Sequence, residues 1–245
     1  MAFLKLIAHD LRWSILEALG RSDLRVNELI SRVGEPGNLV SYHLAQLRAS
    51  GLVRERHSSA DGRAVYYSLD IDHFQRQMVN AAARVRPGLV VARPGAPATR
   101  AWRSKARVLF LCTHNSARSQ MAEGLLRNVT GGRVAVASAG SQPRELHPLA
   151  IEVMARRGID ISGQRPTQVD DLKGQRFDTV ITLCDSMREV CPSFHGSPEL
   201  VHWSLPDPAS EAPRRRLKVF EEVAAEIARR VQYLVILLDE RLAAD

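Results

Sequence analysis

Val108–Gly124 reads VLFLCTHNSARSQMAEG: four apolar residues run into Cys112, and five small or polar positions lead on to Arg118. The apolar run predicts a strand and the stretch after Arg118 predicts a helix, so the cysteine stands at the lip of a strand. Thr113, His114, Asn115, Ser116, Ala117 and Arg118 then form a loop that closes at a helix N-terminus. Consecutive backbone N–H groups in such a loop point inward and surround a tetrahedral oxyanion, and the helix dipole adds positive potential. Arg118 brings planar, paired donors to two oxygens of the same anion. Cys112 lies under that field, which favours its thiolate. Ser119 can donate a hydroxyl hydrogen bond to the sulfur, and Asn115 tolerates the left-handed backbone that a tight loop requires. The result is a nucleophile aimed at the centre of a bound anion. The loop by itself suits phosphate-ester hydrolysis and arsenate reduction alike, because the two anions share shape, charge and size.

Reading outward from Cys112, short aliphatic runs alternate with helical stretches. RVLFLC, RVAVASAG, FDTVITLC and ELVHWSL predict strands, and ARSQMAEGLLRNV and HPLAIEVMARRG predict helices. A last helix carries Phe220, Val223, Ile227, Val231, Leu234, Leu238 and Leu242 on one stripe. Such alternation implies an α/β domain with a parallel sheet and helices on both faces. Ligands of these sheets bind at the carboxyl ends of the strands. Cys184 ends the third strand and Cys191 follows seven residues later, which puts both at the sheet edge that Cys112 occupies. A phosphatase needs one cysteine, whereas reducing arsenate takes two electrons, which a dithiol supplies by becoming a disulfide. His147, His195 and His202 have no zinc-like spacing.

Before Arg107 the character changes. Ala83–Arg107 is rich in proline, glycine and arginine with little periodicity, and predicts a linker. The expected division is residues 1–83, a linker over 84–104, and 105–245. LKLIAHDLRWSILEALG places Leu4, Ile7, Leu11, Ile15, Leu16 and Leu19 at helical spacing. RVNELISRVG predicts a short helix, and GNLVSYHLAQLRASGLV a third with Leu39, Val40, Leu44 and Leu47 inward. LVRERHSS (Leu52–Ser59) and RAVYYSL (Arg63–Leu69) alternate on either side of ADG as the arms of a hairpin do. That order is a winged helix-turn-helix, mainly helical with a β-hairpin wing. Residues 1–100 carry 14 Lys/Arg against 9 Asp/Glu, a net of +5 out of +7 for the 245-residue chain, which favours a nucleic-acid partner.

VSYHLAQLRASGLV followed by RAVYYSL resembles the recognition helix and wing of the ArsR family of bacterial repressors, over about residues 1–80. The resemblance implies a double-stranded DNA operator read from the major groove by Asn38, Ser41, Tyr42 and His43, with Arg48 at phosphate and Arg63 in the minor groove. It also implies a homodimer through the outer helices. All three cysteines lie after the linker, so the thiols through which many of that family sense metals or metalloids have no counterpart here.

CTHNSARSQMAEG, SAG, ITLCDSMREVCP and HWSLPDPA resemble the low-molecular-weight phosphatase-like arsenate reductases, over about residues 106–245. That resemblance implies attack of Cys112 on arsenate, held by Arg118 and the loop amides, with Asp207 as general acid and Ser119 supporting the thiolate. Cys184 then forms a disulfide with Cys112, and Cys191 resolves it to Cys184–Cys191, which external thioredoxin reduces. No tightly bound cofactor is implied. Some relatives hold potassium beside the loop; Asn115 and Ser138 match their ligands, while GQRPTQVDD does not supply the rest. Ala209 and Ser210 follow the Asp-Pro pair where aryl-phosphate enzymes place aromatic residues, which speaks against an aryl substrate. MAFLKLIAHD is too short an apolar run for a signal peptide and no run suggests a membrane span, so a cytoplasmic location is expected.

Overall fold

The computed structural model describes residues 2–85 and 106–244, with side chains described as far as residue 238. The chain divides into two units, residues 1–99 and 100–245. The expected linker over 84–104 lies, from residue 86 onward, outside the described residues.

The N-terminal unit runs α1 (Ala2–Ile7), α2 (Asp10–Arg21), β1 (Leu24–Arg25), α3 (Val26–Val33), α4 (Gly37–Ala49), β2 (Val53–His57), β3 (Val65–Leu69) and α5 (Ile71–Val85). β2 and β3 pair antiparallel from Val53 opposite Leu69 to His57 opposite Val65, and β1 joins the other edge of β3. This is the winged helix-turn-helix expected. Gly34 and Gly51 adopt left-handed backbone where α3 and α4 end, a conformation that favours glycine. Ile15, Leu16, Leu19, Leu29, Val40, Leu44 and Leu47 close the core between α2, α3 and α4.

Two expectations need correction. The single first helix is two, because His9 is extended and the helix restarts at Asp10. Arg12 explains the break: its guanidinium donates to the carbonyls of Leu6 and, at 3.3 Å, Lys5, taking up acceptors at the end of α1. It is held by Gln46 Oε1 of α4 at 2.9 Å. Leu39, expected to face inward on α4, is more than two-fifths exposed. Arg12→Ala is expected to cost about 1–3 kcal/mol of stability in this unit, since it leaves polar groups without partners. Hydrogen exchange checks it, as lost protection of the α1 amides.

The C-terminal unit runs β4 (Arg107–Cys112), α6 (Arg118–Thr130), β5 (Ala135–Gly140), α7 (Pro148–Ala155), β6 (Thr179–Thr182), α8 (Asp185–Glu189), β7 (Glu199–His202) and α9 (Pro213–Ala244). The strands lie in the order β5-β4-β6-β7, all parallel. Every residue from Val108 to Cys112 is buried, and so is every residue of β6. Successive side chains point to opposite faces, so both faces of these strands are covered, as a parallel sheet requires. Phe220, Val223, Ile227, Val231, Leu234 and Leu238 of the α9 stripe are buried in this core. β4 and β6 are neighbours with Leu111 level with Thr182, which brings the two strand-end cysteines to the same edge.

Candidate active site

The loop after β4 is built by its neighbours as much as by its own residues. The carbonyls of Thr113, His114 and Ser116 accept the N–H groups of Gln142, Arg144 and His147 at 2.8, 2.9 and 2.8 Å. Those bonds turn the carbonyls outward. The N–H groups of His114–Ala117 find no protein acceptor among the described residues, which leaves them for an anion in the bowl. Asn115 is left-handed, with φ of 44°.

The Asn115 side chain is the hub. Its Oδ1 accepts the Thr167 backbone N–H at 2.7 Å and Gln120 Nε2 at 3.2 Å. Its Nδ2 donates to Ser119 Oγ and Ser138 Oγ, both at 2.8 Å. The backbone donor fixes which way the amide points. Ser119 Oγ therefore accepts from Asn115, and its own proton is directed to Cys112 Sγ, 2.9 Å away. Both acceptor positions of Asn115 Oδ1 are taken and nitrogen faces Ser138, so this pair does not fit a monovalent cation. Among the described residues, no three or more His, Cys, Asp or Glu side chains are grouped to hold a metal ion.

Arg118 is 5% exposed and anchored. Its Nη1 donates to Leu205 O at 3.2 Å and its Nη2 lies 3.4 Å from Asp207 Oδ2. Asp207 is in turn oriented by Ala209 N–H, which donates to Oδ1 at 3.1 Å. Asp207 thus stands at the bowl beside the arginine. His114 and His147 flank it, and burial lowers both imidazoles; Arg144 pushes His114 further and Arg216 pushes His147, while Asp207 opposes both.

Cys184 is at the N-cap of α8, its Sγ 3.3 Å from Thr113 Oγ1 and hence beside the residue that follows Cys112. Burial raises its thiol pKa, Arg118 opposes this, and the neighbouring Cys112 adds to it. Cys191 is half-buried, and burial pushes its thiol up to about 11. Cys112 and Cys184 are brought together; Cys191 is separated from Cys184 by α8. From the N-cap Cys184 to the C-cap Val190, six steps at about 1.5 Å rise carry the chain about 9 Å. A disulfide needs Cα atoms about 4.4–6.8 Å apart, so bonding Cys184 to Cys191 requires α8 to open.

Two contributors were not singled out from sequence. Gly140 ends β5 against the loop, where an added Cβ would stand 2.6 Å from Thr113 O and 2.8 Å from Asn115 N and Cys112 O. Asp185, one residue after Cys184, is buried on His202 Nε2 at 3.1 Å and Ser204 Oγ at 2.7 Å. A charged residue at a strand end and a histidine within an apolar strand were the available signals.

In the N-terminal unit, Asn38, Ser41 and Tyr42 are exposed on α4, and Arg63 is exposed in the turn between β2 and β3. Arg48 is exposed but ion-paired with Glu55 of β2. His43 does not belong with them. It is buried against α2, with Arg12 Nη1 3.4 Å from its Nδ1 and the His9 ring 4.3 Å away. Burial, His9 and Arg12 all lower its pKa. Its position on α4, next to Val40, Leu44 and Leu47, puts it on the inner stripe.

The sheet and bowl define an α/β protein whose strand-end cysteine lies at a loop of N–H groups without a protein acceptor among the described residues. Residues 107–245 match the family described as low molecular weight phosphotyrosine protein phosphatase, and the chain belongs to that family. Residues 9–64 match the MarR family, rather than the ArsR family that the recognition helix and wing resemble. An arsenate reductase of Halalkalibacterium halodurans is 39% identical over 131 residues, 53% of this chain and 94% of that protein. A glutaredoxin arsenate reductase of Synechocystis is 36% identical over 129 residues, 53% of this chain and 95% of that protein. Among solved structures, a thioredoxin-dependent arsenate reductase of Corynebacterium glutamicum is 27% identical, covering 93% of this chain and 98% of that one, with a TM-score of 0.47. No helix among the described residues is long and apolar enough to cross a membrane.

Proposed function

We propose that the C-terminal unit reduces arsenate to arsenite by a relay through Cys112, Cys184 and Cys191, with external thioredoxin as the reductant. The observation that carries the reading is Cys184 beside the loop of Cys112, its sulfur 3.3 Å from Thr113 Oγ1. The names of the relatives support it. The Cys112 thiolate attacks arsenic while Arg118 and the amides of Thr113–Ala117 hold the oxygens, and Asp207 protonates the departing hydroxyl to water. The Cys184 thiolate next attacks Cys112 Sγ. The sulfur–arsenic bonding pair stays on arsenic, which leaves as arsenite, and a Cys112–Cys184 disulfide forms. Cys191 then attacks Cys184 and frees Cys112, and thioredoxin reduces the Cys184–Cys191 disulfide.

The N-terminal unit, in the same proposal, is an ArsR-like homodimeric DNA-binding module on a two-fold operator. Asn38, Ser41 and Tyr42 meet bases, and Arg48 and Arg63 meet the backbone and minor groove. The setting is arsenic detoxification in the cytoplasm.

The test follows NADPH consumption with arsenate, thioredoxin and thioredoxin reductase, with glutaredoxin and glutathione as a parallel arm. Wild type is expected to turn over steadily with thioredoxin. Cys191→Ser is expected to release one arsenite per chain and stop, and Cys184→Ser to release none catalytically. Full activity in Cys184→Ser would reject the relay. Rapid turnover of an aryl phosphate without any reductant would favour a phosphatase instead.

A further inference from the structure

Cys184 is gripped on both sides by one imidazole. His202, at the end of β7, lies with Nδ1 2.8 Å from Thr182 Oγ1 and Nε2 3.1 Å from Asp185 Oδ1. Thr182 is two residues before Cys184 and Asp185 is one after it. Ser204 donates to the same Asp185 oxygen at 2.7 Å. All four side chains are at least nine-tenths buried. Nδ1 also lies 3.2 Å from the Thr182 carbonyl oxygen, and the Thr182 hydroxyl lies 3.4 Å from Val201 O, so both ring nitrogens have polar partners on the segment that carries Cys184. Ser204 Oγ donates to the carboxylate, so its proton is not directed to the imidazole as a nucleophilic triad would require. A buried hydrogen bond is also a modest source of net stability, since it replaces bonds to water.

We infer that His202, Asp185 and Ser204 form a buried clamp that positions Cys184 against the anion loop and sets the rate of the Cys112–Cys184 step; this rests on the relay proposed above. Cys184 has two successive partners that make opposite demands. To reach Cys112 it must stay at the sheet edge, and to be reached by Cys191 it requires α8 to open. Clamping Thr182 and Asp185 to β7 satisfies both demands. The chain stays fixed through residue 185, and the hinge falls at Ser186. His202 is therefore a positioning residue: its ring bonds Thr182 and Asp185, and it acts on the reaction through Cys184.

The experiment is a single turnover of the full chain with arsenate, quenched by thiol alkylation, with disulfides mapped by mass spectrometry. In His202→Leu, Cys112–Cys184 formation is expected to slow about 10- to 100-fold, the scale of a misplacement near 1 Å. Competition by phosphate is expected to stay within about twofold, because the bowl keeps all its donors. His202→Gln, which keeps a donor for Asp185, is expected to recover about fivefold or more of the loss. Should His202→Leu fail to fold, Ser204→Ala reads the same rate and is expected to be about 3- to 10-fold slow. An unchanged disulfide rate in folded His202→Leu, or in Ser204→Ala where that variant stands in, overturns the clamp. Parallel loss of phosphate competition and disulfide rate also overturns it, as general damage. Wild type that forms no Cys112–Cys184 disulfide overturns the relay itself, a result distinct from either.

Discussion

Cys112→Ser is expected to abolish arsenite formation, by at least about 10⁴-fold in kcat/KM, while the chain still binds phosphate. The loop that would hold the anion owes its shape to Asn115, Gly140 and the bonds to Gln142, Arg144 and His147. None of these involves the Cys112 sulfur. What serine loses is chemical: its hydroxyl is a far weaker nucleophile than a thiolate. Its oxygen also cannot enter a disulfide with Cys184, so the electron pair has no route to arsenic. Arsenite assay and calorimetric titration with phosphate check the two halves of this expectation. A variant that neither reduces arsenate nor binds phosphate would show that the sulfur also shapes the bowl.

Gly140→Ala is expected to lower kcat/KM by about 100-fold or more without unfolding the protein, because the bowl must shift to admit one methyl group. The new Cβ would meet three backbone atoms of the loop at 2.6–2.8 Å, and backbone held by hydrogen bonds on its far side has no easy retreat. Gly124 makes the instructive contrast. Its added Cβ would stand 2.5 Å from Ile161 Cγ2, a core side chain rather than loop backbone, so the strain there falls on packing and not on the bowl. Steady-state kinetics with arsenate, together with the strength of phosphate competition, measures the effect. For Gly140→Ala the two should weaken together, since both read the same donors.

The local parts of this protein are legible in its residues. A strand, five loop positions and an arginine at a helix start are consecutive, so their geometry follows from short-range backbone rules. The parallel sheet follows from the alternation of runs, and the wing from the polar turn between two alternating segments. Residues that depend on a distant partner are not legible in this way. The spacing of Leu4 through Leu19 suits one helix, yet Arg12 turns back onto the carbonyls of Lys5 and Leu6 while Gln46 holds it from α4. His43 falls among the base-reading positions by resemblance, but the ring packs on His9, at the N-cap of α2, and on Arg12 of that helix.

The sequence by itself determined that Cys112 ends a strand before a loop closed by Arg118 at a helix start, and that two more cysteines follow it in the chain, because covalent order alone carries that information. Tertiary structure decided which thiol is ready. Pairing of β4 with β6 sets Cys184 beside Thr113, whereas the intact α8 keeps Cys191 away, its thiol held protonated by burial. It also decided that His202, seventeen residues beyond Asp185, closes on both sides of Cys184. Such contacts depend on which strands become neighbours, and a single run of residues does not contain that choice.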